Sequence, residues 1–267
     1  MLRAVKRIAT HDLFLCFSSA LFLALPFLNP NLFIFSWFSF LPFLSVLENK
    51  SKIKVFVLSY FTGVVFWPLT VYWLVYVTLL GQILLVLYLS LYFGFFGILS
   101  HRFLKNKYSV FLLPAAWVLS EFLRSHLLTG FPWALLGYSQ YLNLFFIQIA
   151  DFSGVWGVSF LIVMVNAALY SVRFLRPTEK RRLTLLIALL LSAVFFYGYN
   201  KVERFDTGMQ EGYAERVKVS VIQPNILQEE KWDSSKRGSI MSRYFEVTSL
   251  AGKQSPDLIV WPEAALP

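Results

Sequence analysis

The sequence predicts a multi-span α-helical membrane bundle of about seven spans, followed by the start of an α/β unit. Three observations predict it. Hydrophobic residues make up 57% of the 267 and charged residues only 15%, which is more apolar surface than one soluble core buries. Seven apolar runs fill the chain up to Tyr199, and beyond Tyr199 the composition turns polar. The net charge of +9 would suit nucleic acid only if it formed a patch on a soluble face. Here it sits between apolar runs, so no nucleic-acid partner is expected. Cys16 is the single cysteine, which excludes an internal disulfide and a Cys-rich metal site; no metal or cofactor is expected.

The first run, Leu13 to Leu28, follows Arg3, Lys6 and Arg7 and has the outline of a signal peptide. Further runs follow almost at once, so it reads as a retained anchor. The others are Leu32 to Leu47, Val55 to Leu79, Ile83 to Ser100, Val110 to Leu128, Phe152 to Val172 and Leu183 to Tyr199. Most have the roughly 17–25 residues that cross a ~30 Å hydrocarbon core as a helix. The first two are shorter and meet at Asn29-Pro30-Asn31, which leaves two spans or a shallow hairpin open. Lys and Arg fall in alternate connections: the N-terminus, Lys50 to Lys54, Arg102 to Lys107, and Arg173 to Arg182. The intervening connections, including Thr129 to Asp151, have none. Positive residues stay cytoplasmic, so the N-terminus is expected inside and everything after Tyr199 outside, in the periplasm of a bacterium.

Within the fifth run, Glu121 and Arg124 are three apart, share a helix face and can pair. Ionisable residues inside a span point to function by default, with a structural ion pair near the helix end as the alternative. The segment after it, Thr129 to Gln140, is broken by Gly130, Pro132 and Gly137. Such backbone is tolerated at membrane depth where protein or a cavity surrounds it. Trp133, Tyr138 and Tyr141 suit the headgroup level. They form either a plain aromatic belt or, with Glu121, Arg124 and Gln140, a lipid-binding recess.

After a polar linker, Asn200 to Glu215, the residues Val217, Val219 and Val221 alternate with more polar neighbours as in a strand. Asp233 or Ser234 can cap a helix running to about Ala251. Leu258 to Trp261 is a second strand, ended by Pro262 and followed at once by Glu263. Strand, helix, strand makes a βαβ unit with parallel strands. Gln223, Asn225 and Glu263 therefore come to one rim, where open α/β folds place their ligand sites, and Trp232 is placed to cover it. A carboxylate there can serve as a general base; a solvated loop glutamate is the plain alternative.

These residues resemble the bacterial apolipoprotein N-acyltransferases, a membrane bundle followed by a nitrilase-like (carbon-nitrogen hydrolase) domain. The resemblance rests on E-F-L-R, T-G-F-P-W and G-Y-S-Q within Trp117 to Gln140, on Gly154 to Asn166, on Val219 to Asp233 ending K-W-D, and on I-V-W-P-E-A-A-L-P. It implies a membrane domain over 1–199, a linker over 200–215 and the first part of a nitrilase-like αββα sandwich over 216–267. It also implies transfer of a fatty acyl chain from a membrane phospholipid, through a cysteine thioester, to the N-terminal amine of a diacylglyceryl-modified lipoprotein cysteine. The implied location is the bacterial inner membrane. Glu263 matches the general base of a Glu-Lys-Cys set, and Trp232 matches a loop position beside the acyl path.

The family's Lys and Cys lie downstream of W-P-E, and Lys253 precedes the glutamate. Cys16 lies in the first apolar run, where a thiol is inert. The chain as it stands is therefore expected to be the N-terminal part of such an enzyme, without turnover. The alternative is a non-catalytic lipid-binding scaffold, and reading the gene past codon 267 for a Lys and a Cys separates the two. A transporter is disfavoured by the lack of a convincing internal repeat.

Overall fold

Each of the seven apolar runs becomes a helical segment. The structure, a computed structural model, describes residues 9–210, 217–231 and 233–263. The first run is α1 (Thr10–Leu28). The second is composite, a 3₁₀ stretch over Pro30–Trp37 and then α2 (Phe40–Leu47). A 3₁₀ turn rises ~2.0 Å per residue and an α-helix ~1.5 Å, so this segment reaches about 30 Å, the depth of a hydrocarbon core. Then come α3 (Lys52–Thr70), α4 (Leu79–Phe103) and α5 (Ser109–His126). After a non-helical stretch and the single turn α6 (Leu144–Ile147) come α7 (Ala150–Ser171) and α8 (Pro177–Gln210). Among the described residues, six of these segments are long and apolar enough to cross a membrane. The fifth run, α5, is not among the six, and it is the helix that carries Glu121 and Arg124.

The chain divides into two compact units, Met1–Arg204 and Phe205–Pro267. In the first, α3 packs on α1 and α4, and α5 packs on α4 and α7. The centre is aromatic: the Trp117 ring lies 4.8 Å from Phe40, 4.9 Å from Phe96 and 5.4 Å from Phe93, all edge-on. Leucines and phenylalanines of α8, such as Leu185, Leu189 and Phe196, are exposed, as suits a helix facing hydrocarbon. The helix does not end with its apolar run at Tyr199. It continues as a charged extension to Gln210, because Lys201 to Arg204 favour helix and Gly208 alone does not break it. The expected linker over 200–215 is thus helical in its first part, and residues 211–216 lie outside the described residues.

The second unit has two short strands, β1 (Val219–Val221) and β2 (Leu258–Val260), paired in parallel with Val219 opposite Leu258. Between them lie the short α9 (Gln228–Lys231), a 3₁₀ turn and α10 (Arg237–Gly252). Ile240 and Tyr244 of α10 bury themselves with Ile222 against one face of the pair. Val219, Val221, Leu258 and Val260, on the other face, are exposed.

Helices without a hydrophobic drive to associate in lipid need close backbone approach through small residues. The α3–α4 contact supplies it. A Cβ added at Gly63 would lie 2.9 Å from Ser90 Cα, and one at Gly97 would overlap the Ser59 side chain. Gly63→Ala must therefore push α3 from α4, and we expect a loss of about 1–3 kcal/mol, the usual cost of overpacking, read as a lower unfolding temperature in detergent. Gly238→Ala, with nothing within 4 Å, is the control and should be neutral or mildly stabilising. Equal unfolding temperatures for Gly63→Ala and wild type would refute the close approach.

Candidate functional site

At the C-terminal end of α5 the chain leaves helical geometry and takes on strain. Leu128, Thr129 and Ala134 have φ of 50°, 74° and 51°, and Gly130 has 80°. Only glycine takes that region freely, and each of the others costs about 1–3 kcal/mol, so the surroundings must hold them. They are held from α5. One terminal nitrogen of Arg124 donates to the Phe131 and Trp133 carbonyls at 2.6 and 2.7 Å. The Glu121 carboxylate accepts from the Leu136 N–H at 2.6 Å, and Ser159 of α7 accepts from the Gly137 N–H at 2.9 Å.

The expected Glu121–Arg124 pairing therefore takes another form. The two share a face and are 2% and 4% exposed, but no ion pair within 4.0 Å joins them. Each instead satisfies backbone groups that the broken segment leaves unpaired. The Arg124 guanidinium also stacks over Trp67, 4.8 Å from the ring centroid. A cavity of about 20 Å³ lies beside them, lined by Trp67, Trp117, Glu121 and Arg124 among others, about the room of one water. The second carboxylate oxygen of Glu121 and the indole nitrogens of Trp67 and Trp117 make no hydrogen bond to protein.

The remaining candidates divide by burial. Trp133 is 56% exposed, with its ring 5.3 Å from Trp73, and Tyr138 and Tyr141 are exposed beside it in sequence. Gln140 is wholly buried and its amide is spent inside the bundle. It donates to the Phe33 carbonyl and accepts from the Trp37 indole at 2.9 Å. Sequence reasoning missed Ser159 and Asn166 as individual residues. Asn166 accepts from the Phe40 N–H at 2.9 Å and donates to the Ser36 carbonyl, closing the break between the 3₁₀ stretch and α2. The available signal was a lone polar residue within an apolar run.

In the second unit the parallel register makes β1 and β2 end at the same edge, and the Ile222 N–H donates to the Val260 carbonyl beyond them. Gln223, Asn225 and Glu263 follow those ends. Trp261 fixes this edge to α10, its indole donating to Thr248 Oγ1 at 3.0 Å and its ring 5.0 Å from Tyr244. Pro262 and Glu263 come next in an exposed turn. Lys253 follows α10 at the opposite end of β2, so the strand separates it from Glu263. Asp233 caps the turn before α10; the Ser235 hydroxyl and N–H hold its carboxyl below the usual range. Trp232 lies outside the described residues. No cluster of His, Cys, Asp and Glu suited to a metal occurs among the described residues.

Fold and sites together define a multi-pass membrane protein with a small parallel α/β unit after its last long helix. Residues 19–168 match the apolipoprotein N-acyltransferase N-terminal domain. The apolipoprotein N-acyltransferase of Geobacter metallireducens is 35% identical over 279 aligned positions, which cover 97% of this chain and 52% of the relative. That of Shewanella oneidensis is 36% identical over 69% of this chain and 34% of its own length. That of Rickettsia prowazekii is 31% identical over 61% and 31%. The chain belongs to the apolipoprotein N-acyltransferase family. It spans about half the length of the Geobacter relative and about a third of the other two.

Replacing Arg124 by Met strips the Phe131 and Trp133 carbonyls of their donor. We expect a loss of roughly 2–4 kcal/mol, measured as a lower unfolding temperature in detergent. Arg124→Lys should recover only part, since an ammonium can reach carbonyls but does not stack as a guanidinium does. Wild-type stability of Arg124→Met would mean that the segment is held elsewhere.

Proposed function

We propose that this chain carries the membrane bundle and the general base of an acyltransferase that modifies lipoproteins. The donor is a membrane phospholipid and the acceptor is the N-terminal amine of a diacylglyceryl-modified lipoprotein cysteine. The observation that carries the reading is the position of Glu263, directly past the C-terminal end of β2 in a parallel pair, in a chain whose bundle belongs to this family.

In the reaction the resemblance implies, Glu263 takes the proton of a cysteine thiol and the thiolate attacks the ester carbonyl of the phospholipid. A lysine stabilises the resulting oxyanion. Collapse expels the lysophospholipid alkoxide, which recovers the proton, and leaves a thioester. The lipoprotein amine then attacks the thioester, loses its proton to Glu263, and the thiolate departs to be protonated again. The family pattern places that cysteine and lysine C-terminal to Glu263 in sequence. Trp261, anchored on Thr248 and Tyr244, acts as a positioning residue for the turn.

Residues 216–267 are read as the first part of a nitrilase-like sandwich. Parallel sheets are usually covered on both faces, and the apolar, exposed second face of this pair suits a further layer. Trp133 and Tyr138 are assigned to lipid contact at the headgroup level, with Glu121, Arg124 and Gln140 holding the recess from within, and Trp232 is assigned to the acyl path. The bundle sits in the bacterial inner membrane with the N-terminus cytoplasmic and Glu263 periplasmic, a reading supported by the alternation of the Lys- and Arg-bearing connections.

Two measurements test this. In the protein expressed from its gene, Glu263→Gln should abolish the phospholipid-derived acyl-enzyme while leaving membrane insertion unchanged; wild-type acyl-enzyme in that variant removes Glu263 from the mechanism and favours the scaffold. In the 267-residue chain with Cys16 replaced by Ser, which has no other cysteine, a cysteine at Thr129 should react with an impermeant maleimide on spheroplasts, and one at Lys52 should not. The reverse pattern overturns the orientation.

A further inference from the structure

At the N-terminal end of α5, the end away from Trp133, the bundle holds a second and much larger cavity of about 670 Å³. Its wall is apolar: Leu104, Val110, Phe111, Phe174, Leu175 and Leu183. The rest of the lining is polar and includes Asn49, Lys105, Asn106, Lys107, Ser109 and Ser171. Glu48 also lines it, but that carboxylate is engaged by Arg173 at 3.1 Å and by the Tyr170 hydroxyl. Lys105 and Lys107 have no carboxylate within 4.0 Å among the described residues. Lys105 meets the Asn49 amide oxygen at 3.1 Å, and Lys107 lies over the Tyr108 ring. The 18-residue helix α5 begins at Ser109, in the cavity lining, and so adds the positive end of its dipole.

Apolar lining residues, two lysines with no ion pair among the described residues and a helix N-terminus match one amphipathic ligand class: an anion carrying hydrocarbon chains. The lining residues lie where the α4–α5 and α7–α8 connections, which carry Lys and Arg, meet the apolar helices; connections of that kind border the headgroup region. The cavity's size is that of a small-ligand site, about 300–1,000 Å³, enough for a headgroup and glycerol. Phe111, which is exposed, and Leu183, where α8 turns apolar after its charged first turns, both line the cavity and offer apolar surface to acyl chains. We propose that this cavity is a binding site for an anionic phospholipid, one whose phosphodiester is not neutralised by a headgroup amine. It lies at the end of the bundle opposite the recess assigned to the acyl donor, and it does not depend on that assignment.

Native mass spectrometry of the detergent-solubilised chain tests it with phosphatidylglycerol and phosphatidylethanolamine of matched acyl chains. Phosphatidylglycerol should be retained about tenfold more strongly. A lysine near a lipid surface contributes roughly fivefold, so K105Q/K107Q should lose at least tenfold of that binding and the preference with it, at an unchanged unfolding temperature. K105R/K107R should keep both. A diazirine-bearing phosphatidylglycerol should crosslink to residues 104–111 or 171–183. Equal retention of the two lipids, unaltered binding in K105Q/K107Q, or crosslinks confined to other segments would overturn the site. Displacement by millimolar glycerol 3-phosphate would show that a free phosphate ester suffices and would overturn the lipid assignment.

Discussion

Water cannot satisfy a backbone polar group at membrane depth, so every departure from helix in this bundle must find its hydrogen bonds in protein. The structure meets that constraint with a few buried polar side chains at the breaks. Arg124, Glu121 and Ser159 serve the segment after α5. Asn166 and Ser19 serve the step from the 3₁₀ stretch into α2. Gln140 ties the two broken regions together through Phe33 and Trp37. With these in place the segment can keep three non-glycine residues at positive φ and present Trp133 and Tyr138 outward.

The same constraint explains what the sequence could and could not reveal. Apolar runs of such length have few outcomes other than helix, so all seven were legible. The run ending at Tyr199 gave the apolar part of α8 but not its charged continuation, which hydropathy does not register. Spacing placed Glu121 and Arg124 on one face correctly; it could not show that loop carbonyls and an N–H would compete for them, because those partners come from a segment with no periodicity. Trp67, stacked on Arg124, is indistinguishable in sequence from a belt tryptophan. The βαβ order was readable from strand alternation and the Asp233 cap, and the parallel pairing followed from it.

The two units solve different problems. In the bundle, Glu121 and Arg124 are buried and spent on structure. In the α/β unit, Glu263 is exposed at a sheet edge, and the half-buried indole of Trp261 does the anchoring. The acyl transfer proposed above would draw on both: a fixed lipid-facing surface and a carboxylate free to take and return a proton. Family membership joins them, since the matched region is the bundle and the Geobacter alignment extends over 97% of the chain.

Amide hydrogen exchange over residues 127–140 in lipid nanodiscs addresses the constraint directly. The Phe131, Leu136 and Gly137 N–H groups, bonded to the Arg124 carbonyl, Glu121 and Ser159, should exchange as slowly as those of α5. Exchange of all three at the rate of an open surface loop would contradict the account.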